Sequence, residues 1–271
     1  MKKLTVGSLF SGVGLCDLGL SWAGMRHAFF CEVDPFCRSV LAKHWSDVPI
    51  YNDVRSLNGA DLPHIDILCG GFPCQDVSSG GKRAGIKEGT RSGLWYEYSR
   101  LIGEIRPRYA IILLSCGIEI VMRDLAALGY DAEWEVLPAA ALGAPHHRER
   151  VFIVAYPHSQ RADGRARLLA PLERIMGEHQ QSVRVSDWLG IRFDRARKAS
   201  AREAYRGPVV HRVDDGSAGR LDRPGSVKLL PRELVPIWTQ RLKALGNGIV
   251  PQQSYAIAKC ILEYDGVAVP R

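Results

Sequence analysis

An apolar run that ends in two glycines constrains the fold of this chain more than any other stretch. Residues 65–69 are mostly apolar and lead into Gly70-Gly71. This is the pattern of a buried parallel strand that enters a loop at its carboxyl edge. In open α/β sheets, ligands bind at that edge. The residues that follow the two glycines are therefore the first candidates for a functional site.

A cysteine follows this strand on a stiffened turn. Pro73 fixes its own φ and restricts Phe72, so the thiol of Cys74 is held on a defined turn. Residues 78–85 are small, polar and basic, which is typical of a loop that closes over a charged substrate. A single cysteine is most often a small buried hydrophobic residue. The position of Cys74 after a strand, beside glycines and before a basic loop, favours a functional role instead.

The N-terminal segment predicts a second ligand-binding element. A short strand over residues 4–10 is broken at Gly12 and Gly14, and a helix begins at Leu15. This order places backbone N–H groups and a helix N-terminus against a ligand, as in dinucleotide-binding folds. The third glycine falls late, at Gly19, so the Gly-x-Gly-x-x-Gly fingerprint of a nicotinamide site is broken.

Acidic residues end the next two predicted strands. Glu32 follows a strand over residues 26–31, where a carboxylate can accept hydrogen bonds from the ribose hydroxyls of a nucleoside. Asp34 is the local alternative, although an acid before Pro35 also suits a helix cap. Asp53 ends a third short strand. A contact with a ligand and a cap on the following turn explain this residue equally well.

The remaining pattern predicts an α/β protein with a less regular basic region. We expect a Rossmann-like catalytic and cofactor-binding α/β domain, formed by residues 1–156 plus 234–271. Residues 157–233 lack apolar periodicity. Between positions 161 and 228 there are 15 Lys/Arg against 9 Asp/Glu, which accounts for +6 of the net charge of +7. Such a block is either a solvated face or a footprint for a polyanion.

Composition narrows the class of protein. Of the 271 residues 46% are hydrophobic, but no apolar run is long enough to span a membrane and the N-terminus lacks a signal-peptide pattern. The seven cysteines show no Cys-x-x-Cys pairs or zinc-ligand spacing, which favours neither a disulfide framework nor a metal site. We therefore expect a cytoplasmic protein with no bound metal and no membrane partner.

Four motifs together resemble one family. Gly-Phe-Pro-Cys-Gln at residues 71–75 resembles the nucleophile motif of the DNA (cytosine-5)-methyltransferases. Phe-x-Gly-x-Gly at residues 10–14 is similar to the S-adenosylmethionine loop of that family, and Leu-Gly-Asn-x-x-x-Pro at residues 245–251 is similar to its last motif. Residues 145–150 resemble its Pro-Gln-x-Arg-x-Arg segment, with His146 in place of the Gln. The motifs follow one another in the order that the family has.

The resemblance implies a reaction and a set of site residues. The implied reaction transfers a methyl group from S-adenosylmethionine to C5 of cytosine in DNA through a covalent cysteine adduct at C6. Cys74 would be the nucleophile, and Arg148 and Arg150 would hold the pyrimidine oxygen or the adjoining phosphate. The implied cofactor-binding residues are Phe10, Gly12, Gly14, Glu32, Asp53, Pro73, Leu94 and Asn247.

The resemblance also implies partners. The substrate would be double-stranded DNA with one cytosine flipped out of the helix. Residues 157–233 would form a small irregular target-recognition region. We expect the chain to act as a monomer, and a cognate restriction endonuclease is the protein partner that the resemblance suggests.

The chain departs from the family at one catalytic motif. After residues 106–109 the family places Glu-Asn-Val at the end of a strand, where this chain has Leu113-Leu114-Ser115. Glu119 is the sole local carboxylate that could substitute. We therefore expect strongly reduced activity. Two alternatives stay open: a catalytically impaired DNA- and cofactor-binding protein of the same fold, and a tRNA cytosine methyltransferase.

Overall fold

A seven-stranded sheet forms the centre of the computed structural model, which describes residues 3–72, 93–114, 117–144, 146–160, 166–182 and 248–267. All of these residues belong to a unit made of residues 1–185 and 248–271. The strands are β1 (Thr5–Leu9), β2 (Arg26–Cys31), β3 (Ile50–Tyr51), β4 (Ile67–Gly70), β5 (Tyr109–Leu114), β6 (Tyr130–Leu137) and β7 (Arg150–Pro157). Their order in the sheet is β3-β2-β1-β4-β5-β7-β6. The first five strands are parallel, and β7 runs antiparallel to β5 and β6.

Helices cover both faces of the sheet. They are α1 (Leu15–Trp22), α2 (Pro35–His44), α3 (Leu94–Ile105), α4 (Ile118–Ala127), α5 (Leu172–Ser182) and α6 (Pro251–Tyr264). Short 3₁₀ turns occur at Val54–Ser56, Gly59–Asp61, Ala139–Leu142 and His158–Gln160. In the part of the chain that the structure describes, no helix has both the length and the apolar character needed to cross a bilayer. The predicted α/β fold is confirmed.

Local capping signals set two of these helix boundaries. The carboxylate of Asp34 accepts hydrogen bonds from the N–H groups of Phe36 (2.8 Å) and Cys37 (3.2 Å), and Pro35 begins α2. A proline is tolerated there because the first N–H groups of a helix have no partner within it. Before α1, Gly14 has a left-handed backbone with φ of 79°, which glycine adopts without a steric penalty.

The residues of β5 show how the core is divided between the two faces. All six are buried, and they alternate between two apolar clusters. The odd-numbered residues belong to a cluster with α1, α5 and α6, and the even-numbered ones to a cluster with α3 and α4. A strand that is covered on both faces needs a continuous apolar sequence, which is what this stretch has.

The C-terminal helix packs closely on α1. A Cβ at Gly19 would lie 2.0 Å from the carbonyl oxygen of Pro251 and 2.2 Å from Oγ of Ser254. The two helices can approach this closely because position 19 carries no side chain. Oγ of Ser254 also donates a hydrogen bond to the carbonyl of Cys16 (2.8 Å). The helix α6 is thereby joined to α1, which follows the glycine loop at residues 10–14.

A buried contact between a carboxylate and an imidazole joins α1 to β2. Oδ1 of Asp17 lies 3.0 Å from Nε2 of His27, and the two side chains are 0% and 1% exposed. The imidazole ring stacks on Phe30, with 5.0 Å between ring centroids, and lies against Trp45. This pair fixes the helix that carries the glycine loop to the neighbouring strand.

Part of the region expected to be irregular is helical. Leu168, Leu169, Leu172 and Ile175 are buried in the cluster with α1 and α6, and the carboxylate of Glu133 accepts the N–H groups of the first two. The sequence analysis missed α5 because its apolar spacing is helical over one short stretch among charged residues. Most of residues 157–233 lie outside the described residues, so the boundaries of the recognition region stay a prediction.

Candidate cofactor and substrate site

The carboxyl ends of three strands meet at one edge of the sheet. Leu9, Cys31 and Gly70 end β1, β2 and β4, and Leu9 is in register with each of the other two. After β1 the chain forms β2 on one side of β1, and it later forms β4 on the other side. Ligands of open α/β sheets bind at such a switch point. Phe10 and Glu32 follow directly after β1 and β2, so both lie at this edge.

The loop after β1 has a backbone that favours glycine. Phe10, Gly12 and Gly14 have positive φ angles of 53°, 56° and 79°. An added Cβ at Gly14 would lie 2.6 Å from the ring of Trp45, whereas one at Gly12 would meet no described residue within 4 Å. Among the described residues, the main chain at Gly12 therefore borders open space, which a ligand can approach closely.

Glu32 fastens this loop to the end of β2. Its carboxylate accepts hydrogen bonds from the N–H groups of Gly12 (2.7 Å) and Asp34 (2.8 Å), and the residue is only 9% exposed. A carboxylate has about four lone-pair sites, so two such bonds leave capacity for ribose hydroxyls. The side chain of Asp34 caps α2. Of its two interpretations, helix cap and ribose-binding acid, the structure therefore shows the helix cap.

Asp53 is bound to a neighbouring arginine. Its carboxylate accepts hydrogen bonds from the main-chain N–H (3.0 Å) and from Nη2 (2.8 Å) of Arg55, and it caps the 3₁₀ turn at Val54–Ser56. The side-chain hydrogen bonds from Arg55 lower the pKa of Asp53. The structure thus shows the capping interpretation, and a contact between Asp53 and the cofactor stays a prediction.

Three buried thiols of the described residues are held in the protonated form. Burial, and then the charges of Glu32 and Asp53, raise the pKa of Cys31 to about 12. Burial raises the pKa of Cys260 to about 12, and a hydrogen bond with Cys16, together with burial, raises that of Cys69. Because the thiolate is the nucleophilic form, these three cysteines are poor nucleophiles near neutral pH.

Phe10 and Leu94 pack against the same apolar cluster. The ring centroid of Phe10 lies 6.4 Å from that of Tyr98, and Leu94 is the first residue of the same helix, α3. The hydroxyl of Tyr98 lies within hydrogen-bond distance of the carbonyls of Leu68 (3.1 Å) and Ile111 (2.9 Å), which share its one proton. These bonds fix α3 across β4 and β5, so both predicted cofactor residues are tied to one rigid helix.

The two candidate substrate arginines lie where β6 leads into β7. Arg150 is the first residue of β7 and pairs with Leu137 at the end of β6. Arg148 has a positive φ of 36°, and its guanidinium donates to the carbonyl of Gly248. Burial and the charge of Arg150 lower the pKa of Arg148. The arginine segment, residues 148–150, therefore contacts Gly248, which directly follows Asn247. The two contacting residues are about a hundred positions apart in the sequence.

The chain is similar in sequence to known proteins. A family model described as C-5 cytosine-specific DNA methylase matches residues 4–198. The chain belongs to this family. The Type II methyltransferase M2.BsuMI of Bacillus subtilis is 36% identical over 165 residues, which is 56% of this chain and 42% of the relative. M.NgoBV of Neisseria gonorrhoeae is 29% identical over 175 residues, which is 56% of this chain and 41% of the relative.

Solved structures show the same fold. A DNA modification methyltransferase from an E. coli prophage aligns with a TM-score of 0.50 and 26% identity, over 59% of this chain and 49% of that one. The S. pombe Dnmt2 methyltransferase aligns with a TM-score of 0.54 and 16% identity, over 71% and 61%. The chain spans about two fifths of the length of the curated relatives named above. The family implies S-adenosylmethionine as the methyl donor, so the predicted family, fold and cofactor are confirmed.

The end of β5, where the sequence resemblance predicts the position of the family's Glu-Asn-Val motif, is apolar. Leu113 and Leu114 extend β5 beyond Ile112, which is the register partner of Gly70. They are 6% and 2% exposed and belong to the two opposite clusters. Glu119 lies in the first turn of α4 and is exposed. The described end of the strand therefore presents no carboxylate to the site.

Three of the predicted site residues lie outside the described residues. They are Cys74, Pro73 and Asn247. The described residues next to them are Phe72, which is buried against Trp95, and Gly248, which accepts the hydrogen bond from the Arg148 side chain. The roles of the three undescribed residues stay predictions.

Sequence reasoning missed Gln253, a polar residue with no exposed surface in the first turn of α6. Its side chain bonds three main-chain groups, among them the carbonyl of Arg148 (3.2 Å). One signal was available, because a glutamine at the third position of a helix often bonds back to the residue that caps it. Its bonds to the distant β6–β7 segment had no signal in the sequence.

Proposed function

We propose that this chain binds S-adenosylmethionine and DNA and transfers the methyl group to C5 of cytosine. Family membership over residues 4–198 supports the reaction class. The observation that carries the site is the carboxylate of Glu32, bonded to the N–H of Gly12 at the switch point of the sheet. Open space above Gly12, the positive φ angles of the loop and the remaining lone pairs of Glu32 all suit a nucleoside.

The chemistry would depend on a thiolate from Cys74. Cytosine C5 is a poor nucleophile, and addition of the thiolate to C6 moves electron density onto C5. Bound S-adenosylmethionine would supply the electrophilic methyl group: C5 would attack it as the S–CH3 bond breaks, and S-adenosylhomocysteine would leave. Loss of the C5 proton then returns the electron pair that expels the Cys74 thiolate, which regenerates the base and the enzyme. The cytosine must first leave the duplex, because its ring carbons are not accessible within the stack.

Activity would be strongly reduced relative to a chain that carries the Glu of the missing motif. A positioned general acid contributes about 10²–10⁴-fold to a rate. Leu113 and Leu114 cannot supply a proton, and Glu119 is exposed on α4. The same observation favours the second candidate function, which is binding of cofactor and DNA with little or no turnover.

The first experiment measures transfer of a tritiated methyl group to mixed-sequence duplex DNA, with tRNA in a parallel reaction. Cys74→Ala should abolish any transfer, whereas Cys37→Ala on α2 is the matched control and should retain it. Transfer to tRNA alone would contradict the DNA assignment. Calorimetric titration with S-adenosylmethionine and with NAD tests the cofactor, and a preference for NAD would reject the site as described.

A second experiment separates an enzyme from a binding protein. If Glu119 has replaced the missing acid, Glu119→Gln should abolish methyl transfer. If it has not, the variant should transfer methyl groups at the same rate as the natural chain. Restoring Glu and Asn at positions 113 and 114 is a poor test on its own. Both positions are buried, and an unpaired carboxylate there is costly. That variant therefore needs a thermal melt beside the activity measurement.

The basic segment between positions 161 and 228 would supply most of the contacts to DNA phosphates. Because each neutralised phosphate contact contributes about one unit to the log–log salt slope, Arg192→Gln and Arg195→Gln should each lower that slope. Substitution is preferable to deletion of the segment, since Leu172 and its neighbours are part of the packed core. An unchanged slope in both variants would show that the segment is only a solvated surface.

A further inference from the structure

Gln253 connects the two segments that carry predicted cofactor and substrate residues. It lies in the first turn of α6, shortly after Asn247, and is 0% exposed. Its Nε2 donates to the carbonyls of Leu137 (2.6 Å) and Arg148 (3.2 Å). Its Oε1 accepts the N–H of Val250 (3.1 Å). A buried amide with this many partners holds the connected backbone segments in one arrangement.

The two carbonyls bonded by Nε2 both belong to residues close to Arg150 in the β6–β7 pair. Leu137 is the register partner of Arg150 across the β6–β7 pair, and Arg148 precedes it by two residues. One side-chain amide thus fixes both backbone segments at the point where the candidate substrate arginine begins its strand. The orientation of the Arg150 side chain depends on the position of the backbone there.

The backbone of Arg148 also requires support from its surroundings. Its φ of 36° is uncommon for a residue with a side chain. Such a conformation persists where neighbouring groups hold it, and it is often found at functional sites. The hydrogen bond from Gln253 to its carbonyl and the bond from its own guanidinium to Gly248 both join it to the start of α6.

We infer that Gln253 is a positioning residue that sets Arg148 and Arg150 relative to the segment after Asn247. The inference rests on the proposed function. Gln253 acts through the two carbonyls, and the arginines make the contacts to the flipped cytosine or its phosphate. The simpler alternative is that Gln253 only begins α6 through its bond to Val250.

The test uses Gln253→Met, Gln253→Glu and the matched control Ser254→Ala. Methionine keeps the length of the side chain but removes the donors, and glutamate keeps the acceptor but places a carboxylate against two carbonyls. Ser254 is the neighbouring buried residue, and its bond reaches Cys16 on α1 instead of the arginine segment. Thermal melts measure the structural cost of each change.

DNA affinity is measured by fluorescence anisotropy of a mixed-sequence duplex in the presence of S-adenosylhomocysteine. Cofactor affinity is measured by calorimetry without DNA. We expect both Gln253 variants to weaken DNA binding about tenfold, which is the effect of losing one or two buried hydrogen bonds. Their affinity for S-adenosylmethionine should change less than about twofold. Ser254→Ala should bind DNA as the natural chain does.

Two results would overturn the inference. In the first, Gln253→Met and Ser254→Ala lower the melting temperature equally and also weaken DNA binding equally. The role of Gln253 would then be only structural. The other is natural DNA affinity in Gln253→Glu, which lacks the donors; this variant also serves if the methionine variant does not fold. Failure of the proposed function is distinguishable, because the natural chain itself would then bind neither DNA nor S-adenosylmethionine.

Discussion

Replacing Glu32 with alanine removes the carboxylate oxygen that holds Gly12 of the glycine loop to the end of β2, and also the oxygen that accepts the N–H of Asp34. The N–H groups of Gly12 and Asp34 lose partners at 2.7 and 2.8 Å. Glu32 is 9% exposed, so water only partly replaces the lost oxygens. The variant therefore perturbs the ligand-free fold as well as the cofactor site.

The magnitude follows from the two bonds. A hydrogen bond to a charged group contributes about 1.5–3 kcal/mol, and leaving a donor unpaired costs about 1–3 kcal/mol. Because the site is near solvent, we expect the lower end, a total of about 2–4 kcal/mol. This corresponds to a melting temperature lower by roughly 5–15 °C for a domain of this size. Loss of the ribose contact should weaken S-adenosylmethionine binding about tenfold to a hundredfold.

The assay combines a thermal melt without ligand and calorimetric titration at a temperature below the transitions of both proteins. Glu104→Ala is the matched control, since Oε2 of Glu104 accepts the N–H of Gly59 at 2.8 Å at the end of α3 distant from the glycine loop. It should lower the melting temperature slightly and leave cofactor affinity unchanged. An unchanged affinity in Glu32→Ala, or an equal loss in Glu104→Ala, would refute the reasoning.

Three further predictions concern stability, each measured as the urea midpoint. Gly19→Ala should destabilise the chain by about 3 kcal/mol, because the new Cβ would lie 2.0 Å from a carbonyl oxygen of α6; natural stability would contradict that close contact. His27→Leu removes the imidazole that lies 3.0 Å from the buried carboxylate of Asp17 and should cost about 1–3 kcal/mol, and Asp17→Leu in the same chain should restore part of the loss. Above about pH 9 the unfolded chain loses the proton of Cys31, while burial keeps it on the folded chain by raising the pKa to about 12. Stability should therefore fall with rising pH by about 1 kcal/mol per pH unit from this thiol, and a Cys31→Ala variant with the same slope would contradict this.

The sequence determined most of the elements that form, and it placed Phe10 and Glu32 directly after β1 and β2. β2 has the bounds that the sequence predicts, and α2 begins at Pro35 after its cap Asp34, because an apolar strand, a capping acid and a proline are all local signals. The same holds for the glycine loop, whose left-handed φ angles are those that Gly12 and Gly14 supply. Signals of this kind act between neighbours in the chain, so they can be read without the fold.

Only the tertiary structure decided how distant segments meet. The insertion of β7 between β5 and β6, the burial of Leu168 and Leu172, and the bonds from Gln253 to the β6–β7 segment join parts of the chain without a common local pattern. Glu32 illustrates both sources: its place after β2 is local, whereas its bond to Gly12 joins residues 20 apart. A hydrogen bond or a buried contact needs two groups at a fixed distance. For groups far apart in sequence, that distance is set by the packing of the whole sheet.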